Sequence, residues 1–337
     1  MNMNKLEVKQ AINSLYFLKR IKRLGKFYWK EKEVEKDFDI KNYLCFGKWN
    51  HMVNEFDQKL HDNFTKEQVY HFEKNVRDVI IRKKKLTSKK KETDGTRGLY
   101  HSGDNSIRVF AENQEEEFYI KERLTHELMH MASRKDENNC GFHHIQREGQ
   151  TISIGKNLNE GYTEFLNAAY FTYHYKAEYY PFEKIIASGI EKIVGQKQMK
   201  DAYFNGDIFA IFKSLEQYVP AEEGVNLIHE IDCLDEATSK EDYTNRFNQI
   251  KKTIGKIQSI KLKRELENDI INTEEFEKRK FFDIDLYEKY NFIYSDKKNL
   301  CIQEYNTGYK VISDFDSICL DKEKVNLKFD SDVKIIR

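Results

Sequence analysis

The sequence predicts a mainly helical α+β fold, and three features of the chain support this prediction. Apolar residues recur with a helical period over long stretches in the N-terminal, central and C-terminal parts. A turn cluster at residues 102–105 separates two short segments, and the second alternates apolar and polar residues, which predicts a β-hairpin. After about residue 291 the chain consists of short β-like runs, which predict a small terminal sheet.

The composition is that of a globular protein with two or three domains. With 39% hydrophobic and 34% charged residues, the 337-residue chain is too apolar for a disordered protein and too polar for a membrane bundle. Its five cysteines are scattered without a CxxC pair, which favours reduced thiols over a disulfide framework. Charges interrupt the N-terminal residues every few positions, so no signal-peptide core is expected and a cytoplasmic location is the expectation.

Residues 1–95 are predicted to form a basic, helical N-terminal region. One helix is expected from Leu6 to Lys36, and a later one opens with a capping box of Thr65 and Gln68 and continues to Ile80. Residues 82–96 are rich in lysine and predict a linker or a long surface loop. The region holds 23 basic and 14 acidic side chains, so it could make weak contact with nucleic acid or an acidic surface. Charge runs on helices are more often solvated faces.

The remaining elements fall into a central region, residues 96–235, and a C-terminal region, residues 236–337. The central region is predicted to contain the hairpin, a helix over residues 115–134, a loop over residues 136–156 and a helix from Leu158 to Tyr175. Pro181 and Pro220 are expected at helix starts or boundaries. The C-terminal region is predicted to be helical before it ends in short strands.

The segment "THELMH" contains an HExxH pattern on the first central helix. His126 and His130 are four residues apart, so both imidazoles project from one face and can share a metal ion. Glu127 flanks the same position and is well placed to take a proton from the water that a catalytic zinc ion activates. HExxH arises by chance in roughly two or three chains per hundred of this composition. The opposite face of the helix carries an apolar stripe that should pack inward, formed by Ile120, Leu124, Leu128 and Met131.

The segment "NLNEGYTEF" on the next helix supplies acids that could complete the site. Glu160 could be the third zinc ligand, and Glu164, one turn further along, could accept the free ring N–H of a ligand histidine. The alternative interpretation is that Glu160 closes a capping box begun by Asn157, and that Glu164 is a solvated helix acid. The occurrence of this segment together with HExxH favours the metal site.

These two segments resemble the gluzincin metallopeptidases, the thermolysin-like and aminopeptidase-N-like zinc enzymes. The resemblance covers about residues 97–176 and is strongest to peptidase-like proteins of low-GC Gram-positive bacteria. It implies a two-helix zinc metallopeptidase unit beside a small antiparallel sheet, with His126, His130 and Glu160 as zinc ligands. It also implies Glu127 as general base and Glu164 as the partner of a ligand histidine. The 29 residues between His130 and Glu160 exceed the spacing of the aminopeptidase-N-like group.

The expected function is therefore that of a zinc-dependent peptidase acting on a peptide or protein, with no membrane partner. The strand "SIRVF" could lie at a sheet edge along the cleft and pair with an extended substrate. The alternative is a nucleic-acid- or protein-binding factor whose zinc site is structural or inactive. The group that stabilises the oxyanion stays open among several candidates, namely Tyr170, Tyr173, His174, Tyr203, His143 and His144.

Overall fold

The computed structural model describes residues 49–85, 98–111, 117–146, 151–171, 180–280, 291–294, 300–304, 308–312 and 334–336. Within these ranges the chain is mainly helical with small sheets, which confirms the α+β prediction. The predicted helix from Leu6 to Lys36 and residues 86–96 of the predicted linker lie outside the described residues.

The elements follow one another along the chain in three groups. The first group contains α1 (Asn50–Asn63), α2 (Lys66–Asn75), β1 (Ile80–Lys85), β2 (Gly98–His101), β3 (Ser106–Ala111) and α3 (Glu117–Ala132). The second contains β4 (Asn139–Cys140), β5 (His143–Gln146), β6 (Ile152–Ile154), α4 (Lys156–Tyr170), α5 (Pro181–Val194), α6 (Gln196–Phe204) and α7 (Ile208–Leu215). The third contains α8 (Ala221–Asp232), a 3₁₀ turn (Cys233–Glu236), α9 (Lys240–Glu267), α10 (Thr273–Lys280), β7 (Asn291–Tyr294), β8 (Leu300–Glu304), β9 (Gly308–Ile312) and β10 (Lys334–Ile336).

Helix α2 begins as predicted but ends earlier. Both hydrogen bonds of the capping box between Thr65 and Gln68 are present, which confirms the predicted start. The prediction that the helix reaches Ile80 is wrong, because the helix ends at Asn75 and residues 80–85 form β1. The Asn75 side chain donates to the backbone carbonyls of Met131, at the end of α3, and Arg134, just after it, at 3.0 and 2.7 Å, and these long-range contacts accompany the end of α2. Part of the predicted linker is therefore a strand.

The first sheet has the strand order β1-β3-β2. β2 and β3 form the predicted antiparallel hairpin, but β1 pairs with β3 in parallel, so the sheet is mixed and not purely antiparallel as predicted. The prediction that "SIRVF" forms an edge strand is also wrong, because β3 lies in the centre of the sheet and β2 lies at the edge. The reason is the pairing of residues 80–85, whose lysine-rich sequence does not indicate a strand.

The predicted loop over residues 136–156 contains a second sheet. β4, β5 and β6 pair antiparallel in that order, so the loop prediction is wrong for this part of the chain. The three strands are two to four residues long, too short for a period-2 pattern to appear in the sequence.

Pro181 and Pro220 occupy the predicted positions, since α5 begins at Pro181 and Pro220 directly precedes α8. The predicted terminal strands are confirmed as a four-stranded antiparallel sheet of order β10-β9-β8-β7. No helix in the described ranges combines the length and apolar composition that a membrane span requires.

One hydrophobic core runs through the described helices from α1 to α9. It includes Phe56 and Phe72 near the start, Leu128 and Leu166 in the centre, and Phe247 in α9, each at most 2% exposed. The core therefore continues across residues 95 and 235, where the sequence suggested region boundaries.

A polar contact also joins the first two helices. His61 on α1 lies 3.1 Å from Asp57 on the same helix and 3.1 Å from Glu73 on α2. The Asp57 and Glu73 carboxylates, in this order of effect, raise the pKa of His61 to about 10, so the imidazole is charged at neutral pH.

Candidate metal centre

Helices α3 and α4 position the candidate metal ligands. The predicted apolar stripe of α3 is buried against the core, with Leu124 and Leu128 at most 1% exposed. Burial of this stripe turns the opposite face, with His126 and His130, toward α4. On its other side α4 packs closely against α5. Gly161 of α4 lies so near the Glu183 carbonyl of α5 that an added Cβ would be 2.1 Å from its oxygen.

Three ligand atoms converge at the contact between the two helices. Nε2 of His126 lies 3.1 Å from Nε2 of His130, and Oε2 of Glu160 lies 3.2 and 3.3 Å from these nitrogens. Ligands that bind one zinc ion tetrahedrally at about 2.0 to 2.1 Å are roughly 3.3 Å apart, so the triangle has the size that a metal ion needs. Within the described part of the chain, this is the one group of three such side chains that could hold a metal ion.

The interpretation of Glu160 as a capping residue is wrong. α4 begins at Lys156 after the N-cap Gly155, so Asn157 is the second helical residue and does not cap the helix with its side chain. Glu164 is not a solvated acid either, because it is 1% exposed and its Oε2 lies 2.8 Å from Nδ1 of His126. This contact fixes Nδ1 as the protonated nitrogen of His126 and leaves the Nε2 lone pair for a metal ion.

The second histidine is held by residues that sequence reasoning missed. Nδ1 of His130 lies 3.1 Å from the Asn159 amide nitrogen and 3.4 Å from the Thr163 hydroxyl. The Thr163 hydroxyl lies 2.7 Å from the Tyr203 hydroxyl, which in turn donates to the Met129 carbonyl. Asn159 and Thr163 together hold the His130 ring by its Nδ1 edge, so that Nε2 points toward His126 and Glu160. Asn159 and Thr163 are four residues apart and lie on the α4 face that carries Glu160. Their helical spacing could have indicated from the sequence that both side chains reach the site.

The electrostatics of the site favour positive charge. Burial lowers the pKa of His126, but Glu160 and Glu164 outweigh it and raise the pKa to about 9. Burial also opposes the charged form of His130, yet the Glu160 carboxylate holds its pKa well above the ordinary value. Burial would raise the pKa of Glu160, but His130 and His126 lower it below its usual range. The same carboxylates would stabilise a bound cation, which would replace protons on the imidazoles.

Glu127 lies beside the ligand triangle and is covered by strand β2. It is 6% exposed, and burial raises its pKa, while the two nearby histidines and the backbone amide of Tyr100 lower it. Gly98 approaches so closely that an added Cβ would lie 2.3 Å from Oε1 of Glu127. A buried carboxylate with a raised pKa suits a group that accepts and returns a proton near neutral pH.

The fold also brings Tyr180 to the candidate ligands, and sequence reasoning missed this tyrosine. Its ring stacks on the His126 ring, with the centroids 5.9 Å apart and the planes 17° from parallel. The Glu160 charge and then burial raise the pKa of Tyr180, so its hydroxyl stays protonated. Tyr180 adopts the left-handed conformation, with φ of 53°, directly before α5. Backbone strain of this kind is frequent at functional sites, and its costs of order 1–3 kcal/mol must be offset by the surrounding structure.

The oxyanion candidates from the sequence make contacts of their own, and His143 also lies near enough to Glu160 and His130 for their charges to act on its pKa. Tyr203 is buried behind His130, and Tyr170 accepts a hydrogen bond from Lys200. The His143 ring contacts Ser153 at 2.8 Å, and burial lowers the pKa of His143 to about 4, so the ring is neutral. The remaining candidates are His144, which contacts the Asn139 side chain, and Tyr173 and His174, which lie outside the described residues.

Comparison with known proteins found no matching family model, no matching curated protein and no matching solved structure.

Proposed function

We propose that this protein is a zinc-dependent metallopeptidase that hydrolyses peptide bonds, with Zn²⁺ held by His126, His130 and Glu160. The main support is the ligand triangle with edges of 3.1 to 3.3 Å, because its size matches tetrahedral zinc and its donors are the nitrogen and oxygen atoms that zinc binds. When bound, a zinc ion supplies a water of lowered pKa and polarises the carbonyl that is attacked.

Glu127 is the general base of the proposed reaction. Its carboxylate takes a proton from the attacking water and then returns it to the leaving amine. The raised pKa of Glu127 supports this role, because a group that both accepts and donates a proton works best near the ambient pH. A structural metal site has no use for such a residue, and the described residues offer three ligands where structural sites usually have four.

Tyr180 and Glu164 assist from two sides of His126. The Tyr180 hydroxyl is the proposed hydrogen-bond donor to the oxyanion, because its pKa is raised and its ring stacks on a ligand. Glu164 holds the His126 ring in the tautomer and orientation that present Nε2.

Strand β2 is the proposed docking edge for an extended peptide substrate. It lies at the edge of its sheet, and Gly98 and Tyr100 of this strand approach Glu127. A substrate that adds as a strand to β2 would use backbone hydrogen bonds and bring its scissile bond beside the general base. This role was expected for β3, whose central position excludes it.

The test combines metal analysis with cleavage of a peptide library. We expect about one zinc per chain in the wild type, and loss of both metal and cleavage in Glu160→Ala. Glu127→Gln should keep the metal and lose cleavage, because Glu127 is not a ligand. Glu222→Ala in the first turn of α8 is the matched control for loss of a carboxylate. Wild-type protein without metal, or cleavage that persists in Glu127→Gln, would refute the proposal.

A further inference from the structure

Helix α4 carries most of the site but has no N-terminal side-chain cap of its own. Its N-cap is Gly155, and its first turn contains no acidic residue. Gly155 has φ of 81°, and an added Cβ would lie 2.2 Å from the Ile208 side chain and 2.3 Å from the Phe142 carbonyl oxygen. No capping side chain can be accommodated there, so the first amides of α4 need an acceptor from elsewhere in the fold.

Asp232, the last residue of α8, provides that acceptor. Its Oδ2 accepts the Gly155 N–H at 2.6 Å, and its Oδ1 accepts the Asn157 N–H at 2.9 Å. The Asn157 side chain donates in return to the carbonyls of Ile231 and Asp232, at 3.0 and 3.4 Å. The start of α4 and the end of α8 therefore satisfy each other's terminal backbone groups.

This junction lies next to the part of α4 that touches the metal ligands. Asn159, Glu160, Thr163 and Glu164 all lie within the two turns that follow Asn157, and each contacts a site histidine. Metal–ligand distances tolerate changes of only about 0.2 Å, so a small shift of these turns would disturb ligand and supporting contacts together. A carboxylate at a helix N-terminus also interacts favourably with the helix dipole.

We infer that Asp232 is a positioning residue of the metal centre, which holds the first turns of α4 so that Glu160 meets the two histidines. This inference rests on the proposed function, because it assumes that the site binds a metal ion. Asp232 does not reach the ligands itself and acts through the backbone of α4. Burial raises the pKa of Asp232 to about 6, whereas the two amides lower it, so the carboxylate is mostly ionised at pH 7.5.

The experiment measures binding of Co²⁺ alone to the full-length, metal-free protein at pH 7.5. In Asp232→Ala, we expect the dissociation constant to rise about 10-fold and the visible spectrum of bound Co²⁺ to change. Asp232→Asn keeps one acceptor and should give an intermediate effect, which also serves if the alanine variant fails to fold. The control is Ser239→Ala, which removes the cap of α9, where Ser239 accepts the Asp242 N–H at 3.0 Å.

Hydrogen exchange of the metal-free protein gives a second readout. Amides in residues 157–164 should exchange about 10-fold faster in Asp232→Ala and at the wild-type rate in Ser239→Ala, because only the first variant loosens α4. If Asp232→Ala binds Co²⁺ with wild-type affinity and spectrum, Asp232 is an ordinary helix cap and the inference is wrong. Wild-type protein that binds no Co²⁺ would instead refute the proposed metal centre, and the positioning role with it.

Discussion

Replacement of Gly98 by alanine should separate metal binding from catalysis. Gly98 begins the edge strand β2, and its Cα faces the Glu127 carboxylate. The Cβ of an alanine would lie 2.3 Å from Oε1 and 3.0 Å from Cγ and Cδ of Glu127, whereas ordinary contacts begin at 3.4 Å. These atoms of Glu127 are the nearest to the new methyl group, so the proposed general base must move and the proposed metal ligands need not.

The size of the effect follows from this overlap. Oε1 has to retreat by about 1 Å, and a displacement of about 1 Å of a reacting group can cost roughly 100-fold in rate. We therefore expect Gly98→Ala to lower kcat about 100-fold and to leave the zinc content near one per chain.

The assay is steady-state cleavage of the best peptide from the library, with metal analysis of the same preparations. Gly103→Ala is the matched control, because Gly103 lies in the same hairpin and its added Cβ would approach only the exposed His101 ring, at 3.1 Å. Wild-type kcat in zinc-loaded Gly98→Ala would refute the reasoning, since the carboxylate would then not be needed where the structure places it. Loss of zinc in this variant would also contradict it.

Three further predictions concern Tyr180, Glu164 and the contact between α1 and α2. Tyr180→Phe should lower kcat about 100-fold in kinetic assays with unchanged zinc content, because the oxyanion of the proposed reaction would lose its proposed donor. Glu164→Gln should weaken zinc binding about 10- to 100-fold in competition with a chelator, because a ligand imidazole loses its carboxylate partner. The pKa of His61 is raised to about 10 in the folded protein, so its charged imidazole stabilises the fold fully below its ordinary pKa near 6.5. This contribution to stability is lost as the pH rises to about 10. Between pH values of about 6.5 and about 10, the free energy of unfolding measured with denaturant should fall by about 1 kcal/mol more in the wild type than in His61→Gln. This magnitude allows for screening of the partly exposed pair by solvent.

Two of these predictions have a matched control variant, and each of the three has a result that would contradict it. Tyr218→Phe, a tyrosine against Arg264, controls for loss of a hydroxyl, and Glu191→Gln, whose acid accepts the Tyr162 hydroxyl, controls for loss of a half-buried carboxylate. Wild-type turnover in Tyr180→Phe would remove the tyrosine from the mechanism. Unchanged zinc affinity in Glu164→Gln would show that His126 needs no carboxylate partner. Parallel pH curves for wild type and His61→Gln would contradict the raised pKa.

The features of the candidate site and of the fold that the sequence indicates most directly depend on local geometry. HExxH fixes the relation of His126 to His130, because residues four apart on a helix share a face wherever that helix packs. The same argument places Glu160 and Glu164 on one face of the next helix. The capping box of Thr65 and Gln68 is equally local, since its hydrogen bonds span three residues.

The incorrect predictions involve contacts between distant residues. The parallel pairing of β1 with β3 made β3 a central strand, although its alternation of residues suits either position in a sheet. The extension of α2 to Ile80 was wrong because Asn75 bonds to the end of α3, which no local period reveals.

The sequence by itself determined that two helices carry two imidazoles and two acids at helical spacing, because helix geometry is the same in every context. Only the tertiary structure decided that Glu160 lies 3.2 and 3.3 Å from the two histidines, that Tyr180 stacks beside them and that Gly98 covers Glu127. These distances depend on how burial of the apolar faces sets the position of each helix and strand. That position is a property of the packed core and not of any single segment.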